Sequence, residues 1–241
     1  MRARPGGARL AAAAGAALTL GAGLAGSSSG GGSAVYRVAV RSRLIALSFD
    51  DGPDPRWTPT VLRVLARYHA HATFFVVGTQ AGAFPRYIRS ELAAGDEVGD
   101  HTWSHPVLTR LARADVRQQI GRAAAVVERD GAPSPKLFRP PYGSTDATVD
   151  DVVRADHLRL VLWDVAVEHF VDHVRRRIAL GQLLRAIHPG SIVLAHDGGA
   201  VDRSRTIAVL PLLLGSLAER GYRFATVSRL IASGRPETTR G

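Results

Sequence analysis

Residues 44–53 read LIALSFDDGP, and this stretch decides how the rest of the chain is interpreted. The first six, Leu44–Phe49, are almost wholly apolar, which is typical of a strand covered on both faces in a parallel sheet. Two carboxylates, Asp50 and Asp51, follow directly, and Gly52-Pro53 then predicts a sharp turn. Because chemistry in parallel α/β sheets collects at the carboxyl ends of strands, the pair is a candidate functional site. A turn or helix-capping pair of aspartates is the competing interpretation.

Beyond this stretch, apolar segments of strand length alternate with longer segments of helical period. The predicted strands are Leu44–Phe49, Ala72–Val77, Glu97–Asp100, Lys136–Arg139, Leu158–Trp163, Ser191–Ala195 and Arg223–Val227. The predicted helices are Thr58–His69, Pro85–Ala94, Ala112–Asp130, Ala147–Ala155, Val174–Ile187 and Arg205–Arg220. Such alternation predicts an α/β fold with a parallel sheet covered by helices, and seven units fit a (β/α) barrel one unit short of eight. An open doubly wound sheet is the alternative.

The composition is that of an ordinary globular protein, with 46% hydrophobic and 22% charged residues, and it excludes disorder for most of the chain. The absence of cysteine excludes disulfide frameworks, thiolate zinc sites and cysteine nucleophiles. The body has no strongly apolar run of membrane-spanning length, so a polytopic membrane protein is excluded. Although 31 basic and 21 acidic residues give a net charge of +10, the arginines are scattered. No nucleic-acid-binding motif accompanies them, so nucleic acid is not an expected partner.

The first 43 residues are predicted to precede the folded domain. Arg2 and Arg4 precede an Ala-, Gly- and Leu-rich stretch at residues 10–26, which is typical of a secretory signal peptide. An uncleaved N-terminal anchor is the alternative, and residues 26–33 are only Gly and Ser, as in a flexible linker. We therefore predict a secreted or envelope-associated protein with four segments: signal peptide or anchor 1–26, linker 27–43, catalytic domain 44–233 and flexible tail 234–241.

The third predicted strand leads into two histidines, His101 and His105. Side chains four residues apart lie on one face of a helical turn and can bind one metal ion through their imidazole nitrogens. A surface histidine pair is the alternative, since the chain has nine histidines and the spacing also arises by accident. Two imidazoles and one carboxylate would leave positions open for water and substrate, the pattern of a catalytic zinc ion.

The fourth and sixth predicted strands also end in polar residues. Arg139 is a fixed cation that could hold one of the two carboxylates ionised through a bidentate contact, and the backbone N–H of Tyr142 could point at a developing oxyanion. Read alone, this segment is better explained as a rigid loop with a surface arginine. His196 leaves a buried strand into a Gly-rich loop, which favours a general acid or base, although a lone buried histidine is more often structural.

Taken in order, the segments SFDDGP, HTWSH, RPPYG and LAHD resemble the motifs of the polysaccharide deacetylases, which carry the NodB homology domain and form carbohydrate esterase family 4. The resemblance covers about Leu44 to Ile231 and includes ATFFVVG at residues 72–78. It implies a distorted (β/α)7 barrel of the NodB-homology type. It also implies a metal-dependent hydrolase that removes acetyl groups from N-acetylated polysaccharide, such as peptidoglycan or chitin-like N-acetylglucosamine units, and releases acetate.

The resemblance further implies the chemistry of individual residues. Asp50 would be the general base, held ionised by Arg139, and His196 would protonate the leaving amine. The ligands of a divalent metal ion, usually zinc with cobalt, nickel and manganese as alternatives, would be Asp51, His101 and His105. Residues that contact the substrate would be Tyr142, Pro140, Leu194, Trp163 and Phe170, with Leu194 lining the pocket for the acetyl methyl group.

One segment departs from the family pattern. Relatives usually show Asp-x-x-Asp-Trp after a Trp-Asp pair, and the second aspartate supports the acid histidine. Here Trp163-Asp164 is followed by AVEHF at residues 166–170, so both motif carboxylates are missing. Phe170 keeps an apolar side chain where the tryptophan would be, but His169 cannot supply a negative charge to raise the pKa of the acid histidine.

We hypothesise that Glu168 or Asp164 substitutes in part, or that His196 is a weaker acid here. A weaker acid would favour the second candidate function, an O-acetyl esterase on xylan-like glycans, because an ester leaves more easily than an amide. The third candidate is a catalytically impaired glycan-binding homologue, against which the intact base, acid and metal-ligand residues argue. The sequence contains no separate carbohydrate-binding segment and no feature that specifies an oligomer.

Overall fold

The computed structural model of the protein describes residues 34–172 and 176–238. The predicted signal peptide or anchor at residues 1–26 lies outside the described residues. The strands are β1 (Arg37–Ala39), β2 (Leu44–Asp50), β3 (Ala72–Val76), β4 (Glu97–Asp100), β5 (Leu137–Phe138), β6 (Arg159–Leu160), β7 (Val165–Ala166), β8 (Ile192–His196), β9 (Arg223–Ala225) and β10 (Arg235–Glu237). The helices are α1 (Thr58–Arg67), α2 (Gly78–Ala83), α3 (Pro85–Ala93), α4 (Arg113–Arg129), α5 (Ala147–Ala155), α6 (Val167–Val171), α7 (Arg176–Ala186), α8 (Ser204–Glu219) and α9 (Val227–Ala232).

The main sheet follows the order β6-β5-β4-β3-β2-β8-β7, and β9 pairs with the first half of β2. All of its ladders are parallel. Within the described ranges no ladder joins β6 to β7, so the sheet is a curled half-barrel with helices packed around it. The prediction of a distorted barrel is therefore confirmed, and the open doubly wound sheet is wrong.

Strand β2 is the centre of this sheet. All seven of its residues are buried, and it pairs with β3, β8 and β9, which explains the continuous apolar run in the sequence. At its carboxyl end Asp50 is in register with His196 of β8 on one side and with Phe75 of β3 on the other. The sheet therefore places the predicted base and the predicted acid on neighbouring strands at the same edge.

The predicted strands and helices are all present, with ends that differ by a few residues. Helices α2, α6 and α9 and strand β7 were not predicted. Each of these elements has only two to six residues, which is too short to show a helical or strand period in the sequence.

The domain is wider than the predicted range 44–233. Strand β1 pairs with β10 in an antiparallel ribbon. Val35 and Val38 are buried in the same hydrophobic cluster as Leu44 of β2 and Ile192 of β8. The predicted linker 27–43 and tail 234–241 are thus wrong where they include these strands, because a pairing between residues two hundred positions apart leaves no local pattern. No helix in the described part of the chain is long and apolar enough to cross a membrane.

Candidate active site

A cavity of about 560 Å³ opens at the carboxyl ends of the strands. Most of the residues predicted for the site line it: Asp50, Asp51, His101, His105, Tyr142, Trp163, Leu194 and His196. These side chains come from segments spread over 150 positions of the sequence, so the sheet edge is what brings them together.

The three predicted metal ligands converge in this cavity. Oδ1 of Asp51 lies 3.6 Å from Nε2 of His101 and 3.1 Å from Nε2 of His105, and one ligand atom of each residue lies within 4.8 Å of the others. The predicted helical turn between the histidines is wrong, because residues 101–107 form a loop. Left-handed backbone conformations at Asp51, Thr102 and His105 instead aim the ligands, a strain of the kind that functional sites hold.

The protonation of His101 is set by its second nitrogen. Nδ1 lies 2.7 Å from the carbonyl oxygen of Arg139, so it carries the proton and donates, and Nε2 presents a lone pair to the cavity. Among the described residues no well-aligned donor reaches Oδ1 of Asp51. Lone pairs that face one another without a proton between them repel, and a bound cation removes this repulsion. These residues therefore fit a divalent metal ion.

The electrostatics keep Asp51 ionised. Burial acts to raise the pKa of this carboxyl, but the contact with His105 and the nearby imidazoles of His101 and His196 outweigh it and hold the pKa well below its usual range. A carboxylate must be deprotonated to ligate a metal ion, so Asp51 is ready to bind over the whole physiological range.

The backbone of the histidine loop is held by a buried carboxyl. Oδ1 of Asp100 accepts a hydrogen bond from the backbone N–H of Thr102 at 2.8 Å, and Oγ1 of Thr102 accepts one from the N–H of His105 at 3.0 Å. Burial raises the pKa of Asp100 to about 8, despite the hydrogen bond from Thr102. This chain of hydrogen bonds fixes His105 relative to β4.

The predicted base is clamped by the predicted arginine. Nη1 of Arg139 donates to Oδ1 of Asp50 at 2.7 Å and to Oγ of Ser48 at 2.9 Å. The predicted bidentate contact is wrong, since the other guanidinium nitrogens donate to the carbonyl oxygens of Val161 and Leu162. Both Arg139 and Asp50 are buried, so the pair is fixed and leaves Oδ2 of Asp50 on the side of the metal ligands, 3.8 Å from Nε2 of His101.

His196, the predicted acid, has a carboxylate partner. Nδ1 of His196 lies 3.2 Å from Oε1 of Glu168, an ion pair rather than a well-aligned hydrogen bond. The same oxygen accepts from the backbone N–H of His196 at 3.1 Å and from Oγ1 of Thr206 at 2.9 Å. Burial opposes the charged imidazole, but the contact with Glu168, its charge and that of Asp50 together raise the pKa of His196. Glu168 therefore supplies the carboxylate partner that the altered motif at residues 166–170 lacks at the family's usual positions.

Asp164, the other hypothesised substitute, is used elsewhere. Its Oδ1 accepts from the backbone N–H of Ile192 at 2.9 Å, and its Oδ2 accepts from Oγ of Ser191 at 2.9 Å. Asp164 thus anchors the beginning of β8, at the opposite end of that strand from His196, and the hypothesis that it supports the acid is wrong.

The residues predicted to contact substrate divide into two groups. Tyr142 is 67% exposed at the cavity mouth with its ring against that of His105, centroid to centroid 4.7 Å, while Leu194 and Trp163 line the wall. Pro140 is buried and is not part of the cavity lining. Phe170 lines a different cavity of about 290 Å³ and packs on the main core, so the structure does not bring it together with the other predicted site residues.

One charged residue of the site was missed in the sequence. Nη2 of Arg203 lies 3.2 Å from Oδ2 of Asp51, and Arg203 lines the cavity. The sequence offered only a weak signal, an arginine four residues after the glycine pair Gly198-Gly199, in a chain with many scattered arginines. Only the folded loop shows that this arginine faces a carboxylate.

Comparison with known proteins now identifies the family. The family model described as polysaccharide deacetylase matches residues 37–161, more than half of the chain. The chain belongs to the polysaccharide deacetylase family. The resemblance seen in the sequence motifs is confirmed, and the site described above lies in the fold of that family.

Named polysaccharide deacetylases are similar over most of the chain. A peptidoglycan-N-acetylglucosamine deacetylase of Bacillus cereus is 35% identical over 210 residues, which cover 83% of this chain and 93% of the relative. The peptidoglycan-N-acetylmuramic acid deacetylase PdaC of Bacillus subtilis is 35% identical over 188 residues, 78% of this chain but 38% of that protein. The crystal structure of a peptidoglycan N-acetylglucosamine deacetylase bound to a naphthyl N-hydroxybenzamide is 27% identical with a TM-score of 0.77, covering 84% of this chain and 94% of that one.

Proposed function

We propose that the protein is a metal-dependent N-deacetylase that hydrolyses the acetamido group of N-acetylated polysaccharide and releases acetate. The proposal is supported by one observation: the predicted base and the predicted acid line the same cavity as the three predicted metal ligands. Asp50, clamped by Arg139, and His196, paired with Glu168, are register partners on β2 and β8, and both line the cavity that holds Asp51, His101 and His105.

The metal ion is proposed to be zinc. One carboxylate and two imidazoles form a donor set that suits zinc and leaves positions open, although cobalt, nickel and manganese accept the same ligands. A divalent ion held by Asp51, His101 and His105 would polarise the acetyl oxygen and acidify water in the cavity.

The protein's own residues supply the proton transfers. Oδ2 of Asp50, which Arg139 leaves unoccupied, takes a proton from the water that attacks the acetyl carbon. The backbone N–H of Tyr142 stabilises the oxyanion that forms on the acetyl carbonyl oxygen. His196 then donates its proton to the departing amine, so that the C–N bond breaks and acetate and a free amino sugar are released. The raised pKa of His196 keeps it protonated for this step.

The substrate is proposed to be peptidoglycan or a chitin-like chain of N-acetylglucosamine units. Its sugar would lie across the open mouth of the cavity against the exposed ring of Tyr142, and the acetyl methyl group would contact Leu194. Such a substrate fits a secreted or envelope-associated protein, which remains our prediction from residues 1–26.

The two alternatives lose support from the site. The O-acetyl esterase was favoured by a weak acid histidine, and Glu168 removes that reason. A protein that only binds glycans has no use for a buried base–arginine pair beside an acid–carboxylate pair.

The proposal is tested by measuring acetate release from N-acetylglucosamine oligomers by the purified, zinc-loaded protein, with Asp50→Asn as the control. Acetate that depends on Asp50 supports the N-deacetylase. If the folded, zinc-bound protein releases no acetate from these oligomers or from peptidoglycan, the proposal is wrong, and acetylated xylan then tests the esterase.

A further inference from the structure

Arg203 is a nearly buried arginine that contacts one of the predicted metal ligands. It precedes α8, is 8% exposed and makes two contacts through different nitrogens of its guanidinium. Nε donates to the carbonyl oxygen of Gly198 at 2.8 Å, and Nη2 donates to Oδ2 of Asp51 at 3.2 Å. An arginine whose Nε and Nη2 both donate, one to the loop and one to a predicted metal ligand, is not a solvated surface charge.

The two oxygens of Asp51 therefore have different surroundings. Oδ1 faces the nitrogens of His101 and His105, whereas Oδ2 is occupied by Arg203. Without the guanidinium, the carboxylate could rotate about its last bond and offer either oxygen, or both, to an ion. With it, one oxygen remains and its direction is fixed.

The loop after His196 is shaped to allow this contact. Gly199 has φ +87°, and a Cβ at that position would lie 2.7 Å from Oδ2 of Asp51 and 3.2 Å from Nη2 of Arg203. A Cβ on Gly198 would lie 2.3 Å from the carbonyl oxygen of Asp51. Only glycine fits at either position. The glycine pair therefore lets the loop approach Asp51 closely enough for Arg203 to contact it.

We propose that Arg203 is a positioning residue for the metal ligand Asp51, which it holds so that Oδ1 alone faces the ion. The inference rests on the proposed function only in that the site binds a divalent cation. Residues that orient a metal ligand from outside typically contribute about 10- to 100-fold to metal affinity.

The first turn of α8 also contacts the carboxylate that lies beside His196. Thr206, three residues after Arg203, donates to the carboxylate of Glu168 that faces His196. One helix terminus thus holds a partner of the metal ligand and a partner of the acid residue.

Zinc affinity of Arg203→Gln, measured by competition with a coloured chelator, tests the inference. We expect about 10- to 100-fold weaker binding than in the wild type. The sign is informative, because removing a positive charge near a cation would by Coulomb's law alone strengthen binding. Arg205→Gln is the matched control, because it removes the same charge from the same helix turn. Among the described residues, Arg205 donates hydrogen bonds to the carbonyl oxygens of Val171 and Asp172, outside the metal-ligand set.

A second variant keeps the test decisive if Arg203→Gln does not fold. Gly199→Ala keeps every side chain that contacts the ion or the base, but its methyl group would lie 2.7 Å from Oδ2 of Asp51 and 3.2 Å from Nη2 of Arg203, so the contact between them must shift. Gly121→Ala, where a Cβ meets nothing within 4 Å, is its control. Weaker zinc binding in Gly199→Ala with unchanged binding in Gly121→Ala supports the inference.

Folded Arg203→Gln or Gly199→Ala protein that binds zinc within about fivefold of the wild type, or more tightly, overturns the inference. So does an equal loss in Arg205→Gln. A wild type that binds zinc but releases no acetate from any glycan would refute the proposed function and leave this inference standing, since its readout is metal affinity.

Discussion

Oε1 of Glu168 lies 3.2 Å from Nδ1 of His196 and comes from α6, two residues before the position at which the family pattern places its tryptophan. The carboxylate therefore reaches the acid histidine from a different place along the chain than the family motif predicts. Burial acts to raise the pKa of Glu168, but the contact with His196 and its charge lower it, so the pair stays ionised on both sides.

Replacing Glu168 with Gln should lower the rate and shift its pH dependence. Without the carboxylate the raised pKa of His196 falls, so the protonated acid is lost at a lower pH and the alkaline limb of the rate profile moves to lower pH. We expect kcat to fall by roughly 10- to 100-fold. Asp164→Asn is the control, because Asp164 does not contact His196, and an alkaline limb that moves equally in both variants would contradict the pairing.

Replacing Arg139 with Gln should destabilise the fold. The change leaves Asp50 buried without its counter-ion, a situation that typically costs about 3–5 kcal/mol in the free energy of unfolding. Arg113→Gln breaks only the exposed pair with Asp151 and should cost about 1 kcal/mol or less. Urea unfolding of both variants measures the difference, and equal costs would show that Arg139 and Asp50 do not interact as the structure indicates.

Zinc should stabilise the wild-type protein and not a ligand variant. At a free concentration one hundred times the Kd, binding adds about 2.7 kcal/mol, which for a domain of this size raises Tm by roughly 5–10 °C. In His105→Gln the rise should largely disappear, whereas the exposed His169→Gln should respond like the wild type. Thermal unfolding with added zinc and with chelator checks this, and a full response in His105→Gln would remove that residue from the ligand set.

The metal-free protein should lose stability as the pH rises toward neutrality because of Asp197. This carboxyl is fully buried, its Oδ2 accepts from Oγ1 of Thr58, and burial together with the charges of Asp51 and Asp50 raises its pKa to about 7. The folded state thus holds a proton that the unfolded chain releases near pH 4, so this contribution is complete below about pH 4 and is lost as the pH rises through 7. Its size is on the order of 4 kcal/mol.

In Asp197→Asn that contribution is absent, and the amide keeps the shape of the side chain. The unfolding free energy of the variant, measured by urea at pH 5 and pH 8, should change less between the two values than that of the wild type. Identical changes in the two proteins would place the pH dependence on other groups.

Much of the fold could be predicted from the sequence because its strands are buried on both faces. The continuous apolar run of β2 and the alternation with helical segments follow directly from that burial, and the motif residues follow the strand ends. The sequence does not predict elements of two to six residues such as α2 and α6, nor the β1–β10 ribbon, because they depend on contacts distant in the sequence.

The candidate site, like the fold, was predictable from the sequence only in part. The residue types and their order along the chain determined which side chains would gather at the sheet edge, since the carboxyl ends of parallel strands meet there. The tertiary structure alone decided their partners: Glu168 rather than Asp164 beside His196, a single contact rather than two from Arg139 to Asp50, and Arg203 on Asp51. Sequence specifies which residues follow each strand, but a contact of about 3 Å depends on how loops and helices pack, and that is determined only when the whole chain is folded.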